Sequence, residues 1–363
     1  MLFVRALELR RVSNVAFRRI DHCGAERRRL ASCVEPLRRE AETELTRSAA
    51  KLGRQRSIDR RVLIGHIKPI VENVEAADAL ANGLNPYTEA VEVANGAPNA
   101  EPGDVITGYV YPPVTAIFYA LGQWTLSDPR YTSLFAWILV LTLVGLTVVK
   151  ERRLQNLYLM LLLAALPGWP LVLRAAWTEP LSLAFLAMAF FLWRRPVASG
   201  IGLGLALASK QYFVVSAPLA LLHRDQGWRK RITLAAIVIA VTVGVALVWD
   251  TAAFWSSAIE FHTTTEARTD GSNIVGLLAA FNISWAPPTV VTLGAGLAAA
   301  SIAGRVSRSR RSFVLAMGLT LAVSFLVSSQ AFANYWFLIF GLGVLGLAAS
   351  PIGQDSTNEP GKS

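Results

Sequence analysis

Charge is scarce in this sequence. Asp, Glu, Lys and Arg make up 17% of its 363 residues, against roughly a quarter in soluble domains. With 53% hydrophobic residues and a mean hydropathy of +0.42, that scarcity excludes a soluble enzyme, a disordered chain and a coiled coil. Cysteine is scarcer still. Cys23 and Cys33 are the only two, with nine residues between them, and no His or Cys cluster accompanies them. A zinc site and a disulfide framework are excluded, and free thiols are expected. There is no P-loop, no Gly-x-Ser-x-Gly elbow, no dinucleotide-binding glycine pattern and no His-x-x-x-His pair, so nucleotide, acyl and zinc-protease chemistry lack their usual parts. Met1–Val4 is apolar, but Arg5, Arg10 and Arg11 follow with no apolar run. No cleavable signal peptide is expected.

What is there is a membrane composition with a basic front end. Of the net charge of +10, residues 1–70 hold 17 Lys/Arg against 8 Asp/Glu, and residues 71–363 hold 18 against 17. The excess is therefore one Arg-rich segment. It lacks interleaved aromatics beyond Phe3 and Phe17, so no nucleic-acid partner is expected. Leu30, Cys33, Val34, Leu37, Ala41 and Leu45 recur at helical spacing. This suits either an amphipathic helix or a solvated tail.

Residues 71–107 carry seven acids and no Lys or Arg, and read as a loop with short helices. Val114–Ser127 is 14 residues long. At ~1.5 Å per residue it is too short to cross a bilayer, and it reads as a re-entrant or interfacial helix. Long apolar runs place spans near 131–149, 154–173, 180–193, 232–249, 286–304, 312–328 and 335–349. The fold class is all-α: a polytopic helical membrane protein of about seven full spans plus short helices. Four parts follow: the basic segment 1–70, a first outer loop 71–130, a transmembrane domain 131–349 and a cytoplasmic tail 350–363.

Lys210 sits at the centre of the apolar stretch 197–222, whose flanks are both basic. A midplane Lys on one helix costs ~2.5–3.5 kcal/mol or more. Two half-helices with Lys210 at the turn avoid that and keep both flanks on one side. Counting from residue 71 and leaving Lys210 aside, the inner segments then hold 14 Lys/Arg and 4 Asp/Glu, and the outer ones 3 and 13. The positive-inside rule puts the C-terminus in the cytoplasm. It also requires residue 71 to be outside, although nothing before it is long and apolar enough to span. A first transmembrane helix is missing from the pattern.

The outer segments collect the chemistry. The first supplies Glu72, Glu75 and Asp78. The second is Arg174-Ala-Ala-Trp177-Thr-Glu179-Pro180. The third contains His262, Arg268 and Asp270, and the fourth Gln330, Asn334, Tyr335 and Trp336. Isolated cations at a membrane edge suit a phosphate, Arg by bidentate donation and Lys as a point charge. Carboxylates suit sugar hydroxyls and general-base work on an acceptor hydroxyl. Bland roles stand beside these. Arg174 and Arg268 can snorkel to headgroups, Glu179 can answer a helix dipole, His262 can be an ordinary loop histidine, and Trp177, Tyr335 and Trp336 can belong to an interfacial belt. Lys210 is hardest to dismiss, because an intramembrane ionisable group is a functional candidate by default.

Several short motifs resemble a known group in order and sidedness. They are Asn85-Pro86-Tyr87, Gly108-Tyr-Val-Tyr111-Pro112-Pro113, Trp177-Thr-Glu179-Pro180, Gly202-Leu-Gly-Leu-Ala-Leu-Ala-Ser-Lys210-Gln-Tyr212, His262 with Arg268 and Asp270, and Gln330-Ala-Phe-Ala-Asn334-Tyr335. Over about 70–350 the chain resembles the GT-C-fold glycosyltransferases, in particular family 87, the polyprenyl-phosphate-mannose-dependent mannosyltransferases of bacteria. The resemblance implies an inverting transfer, outside the membrane, of a sugar (mannose first) from a polyprenyl phosphate to a lipid or glycan acceptor, with membrane lipids around it. It implies no cofactor and no metal. It places the catalytic base on an acid of the first outer loop, where the family shows an Asp; Glu72, Glu75 and Asp78 are the candidates, Glu72 first. It assigns Lys210, Arg268 and His262 to the leaving phosphate and Glu179, Asp270, Gln330, Asn334 and Tyr335 to substrate. Two other readings stay open: a lipid-linked-sugar transporter or flippase, which calls for inverted repeats, and a non-catalytic protein of the same fold.

Overall fold

The computed structural model describes residues 56–88, 90–92, 105–146, 153–166, 168–225, 227–264, 271–283, 288–329 and 331–348. The expected helix near 30–45 and the tail 350–363 lie outside them. The chain forms two compact units: Met1–Tyr109 with Ala116–Thr132, and Val110–Thr115 with Ser133–Ser363.

The first unit opens with helix α1, Arg56–Ala81. Its length suffices to cross a bilayer but its charge does not allow it. Ile70, Asn73, Ala76 and Ala77 are buried, and Asp78, the next residue, is exposed, so one stripe of the helix packs. Asn82 closes the end, donating from both its backbone and its side chain to the Asp78 carbonyl at 3.2 and 2.8 Å. Strands β1 (Ala90–Glu92) and β2 (Val105–Thr107) then pair antiparallel, Ala90 opposite Thr107. A loop with short helices was expected over 71–107. The short apolar β-branched runs either side of the Pro/Gly-rich stretch prefer a ribbon instead. Helix α2, Pro113–Leu126, matches the expected 14-residue segment. Trp124 donates from its indole nitrogen to the Ala77 carbonyl of α1 at 3.0 Å.

The second unit is helical throughout its described residues. It holds α3 (Arg130–Leu146), α4 (Arg153–Ala164), α5 (Trp169–Arg174), α6 (Glu179–Phe191) and α7 (Pro196–Leu207). A 3₁₀ turn, Gln211–Ser216, leads into α8, Ala217–Leu222. Then come α9 (Trp228–Phe254), a π-helical turn Trp255–Glu260, α10 (Phe261–Thr264), α11 (Ile274–Ala280), α12 (Pro288–Val306), α13 (Arg310–Leu326) and α14 (Ala333–Ala348).

Among the described residues, two helical stretches are long and apolar enough to cross a membrane, Trp228–Thr263 and Pro288–Val306. The bent pair α2–α3 makes a third if counted as one span. Apart from the charged α1, the other helices are shorter than the ~20 residues a full crossing takes. The span expected over 154–173 is broken into α4 and α5. Gly168 lies in the left-handed region at φ 92°, and Pro170 sits in the first turn of α5, so the backbone restarts there.

Two breaks fall where charge sits. The apolar stretch 197–222 divides at Lys210, which is extended (φ −148°, ψ 133°) between α7 and the 3₁₀ turn. In α9, Asp250 leaves helical geometry (φ −160°, ψ 101°), and its carboxylate accepts from the Ala253 backbone N–H at 2.9 Å. Asp250 thus ends the apolar helix and caps a second one. Residues 250–264, expected as loop, carry that helix onward.

Helix α7 lies against both α6 and α9. A Cβ on Gly200 or Gly204 would stand 2.7 and 2.8 Å from the Arg231 and Ala235 carbonyl oxygens of α9, and one on Gly202 would stand 2.9 Å from the Ala189 nitrogen of α6. The small-x-x-x-small spacing lets these backbones touch.

Candidate functional site

The break at Lys210 is held from two sides. The Ser209 carbonyl accepts the Thr115 hydroxyl at 2.6 Å, and the Ser209 and Ser182 hydroxyls lie 2.7 Å apart. Irregular backbone between apolar helices needs its polar groups satisfied, and these contacts do so from the first turn of α2 and from α6. The pinned backbone projects Lys210 inward, where its side chain is 4% exposed.

Its ammonium stands 3.1 Å from Oε1 of Glu179, whose side chain is fully buried. It also lies 4.1 Å above the centre of the Tyr111 ring and 5.8 Å from that of Tyr212. Glu179 begins α6, so the helix N-terminus favours its negative charge. The turn before it is tight: Ala176 takes φ 51°, a left-handed conformation that costs a non-glycine residue ~1–2 kcal/mol. Such strain persists where surrounding structure imposes it, and here it delivers Trp177, Thr178 and Glu179 into the interior.

Aromatic rings wall one side. Tyr212 meets Phe325 edge-on at 5.0 Å and Tyr335 at 5.5 Å, and Phe325 lies 4.6 Å from Tyr335. Among the described residues, several buried polar atoms near this wall have no hydrogen-bond partner. They are Thr178 Oγ1, both Glu179 oxygens, Gln211 Oε1, Tyr212 Oη and Asn334 Oδ1. The Lys210–Glu179 contact is thus close in distance but not aligned as a hydrogen bond, and the Glu179 oxygens keep capacity to accept from a ligand.

The outer segments meet here. His262 Nε2 lies 3.0 Å from the Val110 carbonyl, one residue before Tyr111. Ser272 donates to the Ala331 carbonyl at 2.6 Å, Trp336 to the Ser272 carbonyl at 3.1 Å and Asn273 to the Ser328 carbonyl at 2.6 Å. The third and fourth outer segments are stitched together at the start of α14.

The first-loop acids belong to the other unit. Glu72 is buried at 1% exposure on α1, beside Asn73, which accepts from the Tyr109 hydroxyl at 2.6 Å. Burial raises the Tyr109 pKa well above its ordinary value, and the neighbouring Tyr87 and the Glu72 carboxylate push the same way. Glu75 is half-buried and Asp78 exposed. Of the three candidates, Glu72 alone has its side chain sequestered.

Sequence-expected residues thus divide. Glu179, Lys210, Asn334 and Tyr335 fall along one connected set of contacts. His262 lies against the segment that carries Tyr111. Arg268, Asp270 and Gln330 lie outside the described residues. Tyr111, Gln211, Tyr212 and Thr178 were not singled out as binding residues. For Thr178, Gln211 and Tyr212 a signal was present, since each stands within two residues of Glu179 or Lys210, but a Tyr in an apolar run reads equally well as packing. Among the described residues, no three His, Cys, Asp or Glu side chains gather to hold a metal ion.

A helical membrane-type chain with a buried Lys–Glu pair defines a class, and comparison with known proteins narrows it. The model of glycosyltransferase family 87 matches residues 109–329; the chain belongs to that family. It is also 26% identical, over 288 residues, to a curated Mycolicibacterium smegmatis protein (strain ATCC 700084 / mc(2)155). That relative is named polyprenol-phosphate-mannose-dependent alpha-(1-2)-phosphatidylinositol mannoside mannosyltransferase. The match covers 67% of this chain and 62% of the relative, so the chain spans about three fifths of that protein's length. No solved structure matches the chain.

Proposed function

We propose that the protein is an integral membrane glycosyltransferase that moves a sugar, mannose first, from a polyprenyl phosphate to a lipid or glycan hydroxyl. The single observation that carries this reading is the buried Lys210–Glu179 pair inside the family-matched stretch. A buried ammonium held beside a carboxylate is matched to a phosphate that gains charge as it leaves.

The reaction is a displacement with inversion. A first-loop carboxylate, Glu72, takes the proton of the acceptor hydroxyl. The acceptor oxygen attacks the anomeric carbon, a new C–O bond forms, and the bond to the phosphate oxygen breaks. Polyprenyl phosphate departs with the electron pair. Lys210, with Arg268 and His262, stabilises that charge. Glu179, Asp270, Gln330, Asn334 and Tyr335 hold the sugar or the acceptor. The chain needs no cofactor for this, since the donor is already activated.

The sidedness of charge supports a GT-C-like arrangement of about seven spans in the cell membrane, with residues 71–130 and the site outside and the tail 350–363 in the cytoplasm.

The test is transfer from radiolabelled polyprenyl-phosphate-mannose in membranes that contain the protein. The Lys210→Ala/Arg268→Ala variant should lose roughly 100-fold or more of the rate, as when a charge-stabilising donor is removed. Transfer at the wild-type rate by that variant overturns the phosphate role. Absence of any transfer by the wild-type protein overturns the enzyme reading.

A further inference from the structure

We propose that Tyr212, together with Asn334, reads the sugar of the polyprenyl-phosphate donor through hydrogen bonds to its hydroxyls. This rests on the glycosyltransferase reading above and deepens it. It adds a specificity-determining residue and separates the part of the site that sees sugar from the part that sees phosphate.

The argument starts from unmet hydrogen bonds. Nearly all buried polar groups in folded proteins are satisfied, and those that are not ask for an explanation. Of fifteen such atoms among the described residues, six belong to the segments that carry Glu179, Lys210 and Tyr335. Tyr212 Oη, Gln211 Oε1, Asn334 Oδ1, Thr178 Oγ1 and both Glu179 oxygens lack a partner among the described residues. Asn334 is 8% exposed, Thr178 1% and Glu179 0%. Two of their owners, Glu179 and Tyr212, are joined through Lys210. Glu179 meets the Lys210 ammonium at 3.1 Å, that ammonium lies 5.8 Å from the Tyr212 ring, and Tyr212 meets Tyr335, next to Asn334, at 5.5 Å.

The chemistry of the set differs from one end to the other. At one end stands a cation, suited to phosphate. At the other stand a phenol hydroxyl and an amide oxygen, neutral groups suited to alcohols. Carboxylate and hydroxyl oxygens complete an acceptor-rich lining, which a polyol with several O–H donors fills. An apolar polyprenyl chain would leave every one of these atoms unsatisfied, and a bare phosphate would leave the phenol and amide end unmet. A hexosyl phosphate answers both ends. Tyr212 is also held rigidly: Phe325 and Tyr335 pack edge-on at 5.0 and 5.5 Å, so its hydroxyl cannot swing away to find water.

The experiment measures equilibrium binding of two short-chain probes, polyprenyl-phosphate-mannose and polyprenyl phosphate, to the full chain in nanodiscs, and transfer kinetics in the same preparation. Wild type should bind the mannosylated probe more tightly than the bare phosphate. Tyr212→Phe keeps the ring and its packing and removes one oxygen. It should weaken the mannosylated probe about tenfold, the size of one lost hydrogen bond, and leave the bare phosphate unchanged. Asn334→Ala should act in the same direction. Donors lacking single mannose hydroxyls supply the second readout. At the hydroxyl that Tyr212 contacts, wild type should lose about as much kcat/KM as Tyr212→Phe does, and the variant should lose no more.

If wild type binds both probes equally, or Tyr212→Phe binds the mannosylated probe as wild type does, the sugar-reading role is wrong while the transferase reading stands. Equal weakening of both probes also overturns it, because that is a packing effect. If wild type binds neither probe and transfers nothing, the transferase reading falls and takes this proposal with it.

Discussion

The Lys210–Glu179 pair concentrates opposing costs at one point. Two charges with side chains 4% and 0% exposed have given up most of their hydration, and their attraction offsets that loss only while both are present. Removing one leaves a buried charge alone. Glu179→Gln or Lys210→Met should therefore each destabilise the protein by ~3–5 kcal/mol, read as a lower unfolding midpoint in detergent. The Glu179→Gln/Lys210→Met double variant should recover much of that midpoint and no transfer activity. A double variant as unstable as the singles would show that the pair is a packing feature. His223 is a second buried titratable residue. It is 1% exposed, its Nδ1 lies 3.0 Å from the Ser307 hydroxyl, and Trp228 and Phe313 crowd its ring at 4.6 and 5.0 Å. Burial lowers its pKa below the ordinary 6.5, against the nearby Asp225 and with Arg231 and Arg308. The unfolded chain therefore takes up the proton first as pH falls. Stability from His223 is fully present above pH 6.5 and is lost as pH drops through that value toward the lower folded one. A thermal-melt series from pH 8 to 5 should slope downward below about 6.5, and His223→Phe should flatten it.

At the scale of elements, helix α7 is the member with least freedom. Gly204 faces the Ala235 carbonyl of α9 closely enough that a Cβ would sit 2.8 Å from its oxygen. Gly204→Ala should cost ~1–3 kcal/mol by overpacking, although alanine is the better helix former. Gly244, in α9 itself, has nothing within 4 Å of a built Cβ. Gly244→Ala should leave the unfolding midpoint unchanged or raise it slightly. The two midpoints side by side test the close approach of α7 to α9; equal midpoints would refute it. Asp250 matters at the same scale. Its carboxylate holds the Ala253 N–H at 2.9 Å, so Asp250→Ala should speed amide exchange over residues 251–254 while sparing the apolar turns before it, with a cost of ~1 kcal/mol.

For the whole molecule, orientation is the property with the largest consequence, because it sets which compartment supplies donor and acceptor. With Cys23 and Cys33 changed to Ser, a membrane-impermeant maleimide added to intact cells should label Asp128→Cys and Ser272→Cys but not Arg308→Cys, which should react only after permeabilisation. The reverse pattern would put the site in the cytoplasm.

How much of this was legible beforehand depends on the kind of cause. Hydropathy is additive along a chain, so the apolar helices α9 and α12, the short α2 and the start of α6 at Glu179 could be read from composition and spacing. A charge inside an apolar run is a local cost, so the break at Lys210 could be read as well. Other features had no local signature. The division of 154–173 turned on a left-handed Gly168 with Pro170 close behind. The helix through 250–264 turned on Asp250 capping a new start. Which faces of α1 turned inward, hiding Glu72 and exposing Asp78, depended on partners far along the chain. Membrane character and the sorting of charge thus belong to the amino-acid sequence alone, because transfer between water and lipid acts on each residue where it stands. Only the tertiary structure decided that Lys210 meets Glu179 beside the Tyr111 ring, and that oxygens of Tyr212 and Asn334 have no partner among the described residues. Those facts arise from packing between segments distant in sequence, and periodicity carries no record of it.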